Sequence, residues 1–122
     1  MAEILTEVGK PEEFGESLKE NPGFIIVKFG ATWCKPCQKI EAQVHEWMHR
    51  LPNNVICYVI DIDECFELYA HFKSKKMVNG IPTIMAWKKG NIHIAPDHAV
   101  ASSKAEEVDY FFNSCLKDLQ SL

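Results

Sequence analysis

The run Phe24-Ile25-Ile26-Val27-Lys28-Phe29-Gly30 carries apolar side chains at odd and even positions alike, with Lys28 its single charge. Successive side chains of a strand point to opposite faces, so a strand of this kind must be covered on both sides. Residues 55–61 (VICYVID) form a second run of the same character. Two such strands demand helices above and below one sheet. The rest of the chain supplies them. Residues 10–20 predict a helix that starts at Pro11, sets Phe14 and Leu18 on one face, and stops at Asn21-Pro22-Gly23. From Cys34 onward Ile40, Val44, Trp47 and Leu51 recur at helical spacing until Leu51-Pro52-Asn53-Asn54. Cys65, Leu68, Tyr69 and Phe72 form a third stripe, closed by the polar KSKK.

Residues 83–87 (TIMAW), a Lys89-Gly90 turn and residues 91–95 (NIHIA) predict an antiparallel hairpin. Ser103-x-x-Glu106 has the spacing of a capping box for a last helix with Val108, Phe111, Phe112, Cys115 and Leu119 on one face. The fold class is therefore α/β, with a mixed central β-sheet flanked by helices on both faces. A length of 122 residues matches one domain spanning 1–122, and 47% apolar with 25% charged residues rules against a disordered or fibrous chain. The net charge of −4 opposes binding to nucleic acid or anionic lipid. The N-terminal residues lack the basic and apolar regions of a leader, and no apolar stretch is long enough to span a bilayer, so a soluble cytoplasmic protein is expected.

Five cysteines, at 34, 37, 57, 65 and 115, are an odd number at irregular spacing and do not suit a fully paired framework. Only Cys34 and Cys37 are close. They sit in Ala31-Thr32-Trp33-Cys34-Lys35-Pro36-Cys37, between a buried strand and a helix. A thiol at the first turn of a helix faces unpaired backbone N–H groups and the positive end of the dipole, which favour its thiolate. Cys34 is thus the expected nucleophile, in reach of solvent, and Cys37, one turn on, the resolving thiol. Pro36 suits a position whose N–H has no helical partner, Trp33 offers a flat apolar wall, and Lys35 adds a positive charge. Cys57 and Cys115 fall on apolar patterns and read as core residues; Cys65 has the most exposed position of the three.

Through FIIVKFGATWCKPC, the later Gly80-Ile81-Pro82-Thr83 and the order of elements, the sequence resembles the thioredoxin family over nearly its whole length. The resemblance implies a dithiol–disulfide oxidoreductase in which Cys34 attacks a substrate disulfide and Cys37 resolves it. It also implies that Pro82 is cis and faces the cysteines, with Ile81 and Thr83 offering backbone to an extended substrate segment alongside Trp33. The expected partners are disulfide-containing proteins and a separate reductase such as a thioredoxin reductase. No cofactor beyond the Cys34–Cys37 disulfide and no metal is expected, and the chain should act as a monomer.

Three departures from the family pattern stand out. Lys35 replaces a common Gly, and a cation there should stabilise the reduced form and make the disulfide more oxidising. Lys28 replaces the family's buried Asp, which is thought to handle the proton of the resolving thiol. An unpaired buried ammonium is costly, so Lys28 needs a partner, and Glu41, four residues after Cys37, is the candidate. Either member of a Lys28–Glu41 pair beneath Cys37 then serves as the proton relay. Finally, the Gly usual before the last helix is missing from Pro96-Asp97-His98-Ala99-Val100.

Two rival readings belong to other classes. His45-Glu46-Trp47-Met48-His49 matches H-E-x-x-H, a zinc pattern, yet on the helical wheel both histidines point away from the apolar stripe, toward water. His93 and His98 read as surface residues. The other rival is an interaction module that keeps the fold and uses the groove at Trp33 and Pro82 without turnover.

Overall fold

The computed structural model describes residues 2–121. Five strands and four helices follow in the order β1 (Glu3–Leu5), α1 (Pro11–Lys19), β2 (Phe24–Gly30), α2 (Lys35–Arg50), β3 (Val55–Asp61), α3 (Phe66–Ser74), β4 (Thr83–Lys88), β5 (His98–Val100) and α4 (Ala105–Gln120). They form one sheet in the order β1-β3-β2-β4-β5. β1, β3 and β2 run parallel, while β4 is antiparallel to β2 and β5 is antiparallel to β4.

The alternation in β2 sorts its side chains between two cores. Phe24 and Ile26 point to the side covered by α2 and α4, where they meet Ile40, Val44, Met48, Val108 and Phe112. Ile25, Val27 and Phe29 point to the side covered by α1 and α3, against Phe14, Leu18, Leu68 and Phe72. Phe72 and Trp87 are fully buried there, and the ring of Phe14 meets both edge-on, at 5.7 and 5.1 Å between centroids. Buried Asn21 ties the start of β2 to the end of β4: its Nδ2 donates to the Trp87 carbonyl at 2.9 Å and its Oδ1 accepts from Gly23 N at 3.0 Å. Gly23 itself is required, because a Cβ there would lie 2.5 Å from the Asn54 carbonyl oxygen.

The mixed sheet and its two helical layers stand as the patterning predicts. β1 has no counterpart in that reading, since three residues are too few to show a period; it is held by parallel pairing to β3. The expected hairpin strand over residues 91–95 does not form. Local side chains capture that backbone instead: Asn91 Oδ1 accepts from His93 N at 2.9 Å, and Asn91 Nδ2 donates to the Ala95 carbonyl at 3.1 Å. Trp87 Nε1 then donates to the His93 carbonyl, and Asp97 accepts from Lys88 N. On its other edge, away from β2, β4 finds its antiparallel partner only at His98–Val100. His98 is accordingly no mere surface residue: it lies 2.6 Å from Asp118 on α4 and stacks on Phe24. The capping box is also absent. α4 begins after Lys104, and Ser102 Oγ accepts from Lys104 N, so the hydroxyl one residue before Ser103 is the one that binds this turn.

α2 and α4 are joined by more than apolar packing. Trp47 lies flat on Phe112, 5.3 Å between ring centres and 8° apart in plane, and its Nε1 donates to Asp109 at 2.8 Å. Gln43 Nε2 donates to the same carboxylate at 2.8 Å. These two donors hold the Asp109 carboxyl below the ordinary carboxylate range.

Two tests follow from the packing. Phe72→Ala should cost about 3–5 kcal/mol in chemical denaturation, whereas Ile92→Ala, at a position 55% exposed, should change stability by under ~0.5 kcal/mol. Because the Asp109 carboxyl is lowered on folding, its contribution is complete above the unfolded-state value and fades as pH falls through the lower folded value. Asp109→Asn should therefore flatten the acid limb of a stability–pH curve and leave the slope above pH ~5 unchanged.

Candidate active site

Cys34 and Cys37 are joined as a disulfide, with their Cα atoms 5.2 Å apart. Their placement follows from local backbone chemistry. β2 ends at Gly30, and Cys34 is the N-cap of α2, in an extended conformation, with Pro36 in the first turn. A capping side chain normally offers an oxygen to the free N–H groups of the first turn. Here the cap is sulfur: Cys37 N donates to Cys34 Sγ at 3.2 Å. The segment before the cap is pinned by Gln38, whose Nε2 donates to the Thr32 carbonyl at 2.6 Å. The cysteines are therefore where the sequence pattern places them, at the mouth of a helix.

Access differs from expectation. Cys34 is only 5% exposed, because it is bonded to Cys37 and its sulfur sits 4.0 Å from the Ile81 carbonyl oxygen. Trp33 beside it is 64% exposed. The Ile81–Pro82 peptide bond is cis. Thr83 closes this turn with a hydrogen bond from Oγ1 to the Gly80 carbonyl at 2.7 Å. An open groove of about 480 Å³ runs between Pro36 and the Gly80–Pro82 turn and continues to Ala101 and Ser102. Trp33, Pro36 and Ile81 to Thr83 are thus gathered at the cysteine pair. Lys35 is exposed at the first position of α2.

Lys28 and Glu41 both line a cavity of about 250 Å³ beneath Cys37, together with Gly30, Gln38, Asp61 and Glu64. They do not form the expected contact pair. Among the described residues Lys28 has no ion pair within 4 Å, and Glu41 is exposed on α2, acting on Lys28 only at a distance.

One contact escaped the sequence reading: Trp33 Nε1 donates to Asp63 Oδ2 at 2.7 Å. Asp63 follows β3, and its own N–H donates to Asp61 Oδ1 at 2.8 Å. The D-x-D at the end of a buried strand was a usable signal for such a turn, but nothing local links it to a tryptophan thirty residues earlier. The remaining cysteines lie away from the pair. Burial pushes the thiols of Cys57 and Cys115 up to about 12, while Cys65 is partly exposed at the start of α3. His45 and His49 are exposed on α2 with their rings 4.2 Å apart, and among the described residues no three His, Cys, Asp or Glu side chains converge as a metal site. No helix among those residues is long and apolar enough to cross a membrane.

The family model described as Thioredoxin matches residues 5–113. Thioredoxin H5 of Arabidopsis thaliana is 35% identical over 98 residues, covering 78% of this chain and 76% of that protein. Thioredoxin-2 of Pyricularia oryzae is 35% identical over 80 residues, covering 65% of this chain, and Thioredoxin of Oryctolagus cuniculus is 36% identical over 66 residues, covering 54%. The matched segment spans only 43% and 58% of the length of those two relatives. Among solved structures, Trichomonas vaginalis thioredoxin superposes with a TM-score of 0.73 at 22% identity, covering 91% of this chain and 96% of that one, which shows a shared fold. Family membership and a bonded C-x-x-C pair at a helix mouth support thiol–disulfide oxidoreductase chemistry, and the chain belongs to the thioredoxin family.

Proposed function

We propose that this chain is a protein dithiol–disulfide oxidoreductase whose chemistry is carried by Cys34 and Cys37. The observation that carries the reading is the sulfur N-cap: an N–H of the first helical turn points at Cys34 Sγ, and the same donor stabilises negative charge on that atom once the pair is reduced. Cys34 as thiolate attacks one sulfur of a substrate disulfide and expels the other as a thiolate. Cys37 then attacks Cys34 in the mixed disulfide, so the substrate leaves as a dithiol and the protein as the disulfide. The two electrons gained by the substrate are those of the Cys34–Cys37 pair.

Restricted access to Cys34 makes the surrounding groove part of the chemistry. An extended segment lying along Pro36 and the Ile81–Thr83 backbone, with Trp33 as a side wall, brings its disulfide to a sulfur that bulk solvent barely touches. Asp63 fixes the indole of Trp33 against movement into this path. Lys35, next to the nucleophile, adds a solvent-screened bias toward the thiolate and so toward a more oxidising disulfide. The partners proposed are disulfide-bearing proteins and a separate dithiol reductase, with the chain acting as a single-domain cytoplasmic monomer and holding no further cofactor.

Reduction of insulin by dithiothreitol is the direct test. The wild-type chain should accelerate it and Cys34→Ser should abolish the acceleration, whereas equal rates would leave a binding module. Cys37→Ser should accumulate a mixed disulfide visible by mass. Confinement of the chemistry to one pair has its own check. In the oxidised protein iodoacetamide should modify Cys65 alone, with Cys57 and Cys115 reacting only after denaturation, since thiols held near 12 hold almost no thiolate at neutral pH.

A further inference from the structure

His45 and His49 stand one turn apart on the outer face of α2, and the disulfide chemistry uses neither. Both side chains are exposed, and their ring centres lie 4.2 Å apart with planes inclined at 64°. Among the described residues neither ring makes a hydrogen bond or an ion pair, so their nitrogens face water. His98 differs, since its Nε2 is engaged with Asp118 at 2.6 Å. The backbone beneath the pair is fixed: Val44 and Met48 are buried in the core under α2, and Trp47 is stacked on Phe112 and bonded to Asp109. Residues four apart on such a helix are surface neighbours, so the two imidazoles are brought together before any ligand arrives. The electrostatic setting favours a cation. His49 lies in the last turn of α2, where backbone carbonyls without helical partners form the negative end of the dipole. Glu41, one turn before His45, and Glu46, next to it, are exposed carboxylates with no ion pair within 4 Å among the described residues. The adjacent cation, Arg50, lies over the Trp47 ring at 4.6 Å, which draws it to the side of the helix that meets α4.

We propose that His45 and His49 together bind one divalent transition-metal ion of the zinc, nickel or copper class, at a surface site separate from the cysteine pair. Imidazole nitrogen suits these ions, whereas magnesium and calcium prefer oxygen ligands. Two nitrogens on one tetrahedral ion, each at ~2.0–2.1 Å from it, stand about 3.3 Å apart. Rings whose centres are 4.2 Å apart meet that separation by turning about their own side-chain bonds. Water completes the coordination, because among the described residues no third His, Cys, Asp or Glu converges on the pair. The H-E-x-x-H spacing thus marks an open site with two protein ligands and an exchangeable ion, not a three-ligand catalytic centre. His45 follows Cys34 by eleven residues, about 16 Å at the rise of an α-helix, so the ion is no cofactor of disulfide exchange and the proposal stands apart from the oxidoreductase reading.

Calorimetric titration of zinc into the oxidised Cys65→Ser protein tests the site without interference, because Cys34 and Cys37 are then a disulfide and the partly exposed thiol is gone. One ion should bind per chain, and magnesium should give no heat. His45→Gln and His49→Gln, both at exposed positions that leave the core intact, should each weaken binding by about 10²-fold, the gain expected from holding two ligands on one scaffold. His49→Gln combined with Arg50→His keeps two histidines in the segment but sets them five residues apart, off a shared face, and should not restore binding. Substoichiometric copper should broaden the amide resonances of residues 45–49 before any others. Since the paired geometry exists only in the folded helix, the Tm of the Cys65→Ser protein should rise with zinc concentration and stay flat in the two single variants. No saturable zinc uptake, an affinity within twofold of the parent in either single variant, recovery of binding in the double variant, or broadening centred elsewhere would each overturn the assignment.

Discussion

Burial of β2 on both of its faces is the constraint from which the rest of the architecture follows. Phe24 and Ile26 on one side and Ile25, Val27 and Phe29 on the other cannot be satisfied by a single helical layer, so α2 with α4 and α1 with α3 must close on the strand from opposite directions. Once the strand is central, its C-terminal end is set at the rim of the sheet, and the turn that leaves it has to enter α2 immediately. The cysteine pair occupies that turn. The reactive position is thus a by-product of where a doubly buried strand can stop.

The site combines opposite electrical environments within a short distance. Above, the sulfur of Cys34 receives a backbone N–H in place of the usual capping oxygen. Below, Cys37 borders a cavity whose floor is an apolar strand bearing one amine and whose rim bears three carboxylates. In the proposed reaction the sulfur at the first is ionised before the substrate arrives and the sulfur at the second reacts only afterwards. The Gly80–Thr83 turn lies over Cys34, whose sulfur is 4.0 Å from the Ile81 carbonyl oxygen, and the neighbouring Trp33 is hydrogen-bonded to Asp63.

Legibility in the sequence tracked how local the deciding interaction is. The strands over 24–30 and 55–61 and the helices beginning at Pro11 and after Cys34 are stated by runs of side chains that repeat along the element itself. The strand expected at residues 91–95 failed because NIHIA alternates well enough for a strand, while Asn91 offers its backbone closer partners than β4 does and Asp97 takes the Lys88 N–H of β4. The cap expected from Ser103 and Glu106 failed for a similar reason, with Ser102 reaching the turn first. Asp63 was invisible as the partner of Trp33, since the two meet only when β2 and β3 are paired in parallel and their ends fall side by side.

The amino-acid sequence alone determined the layered α/β architecture, the strand-to-helix position of Cys34 and Cys37, and the likeness to the thioredoxin family, because hydrophobic period, capping chemistry and short motifs are written within single elements. Only the tertiary structure decided how deeply Cys34 is covered, that Lys28 and Glu41 stand apart, and that Lys28, Asp61 and Glu64 share one cavity with Cys37. Those facts depend on distances between elements, which arise from how twisted strands and helices pack and leave no trace in the order of residues along any one of them.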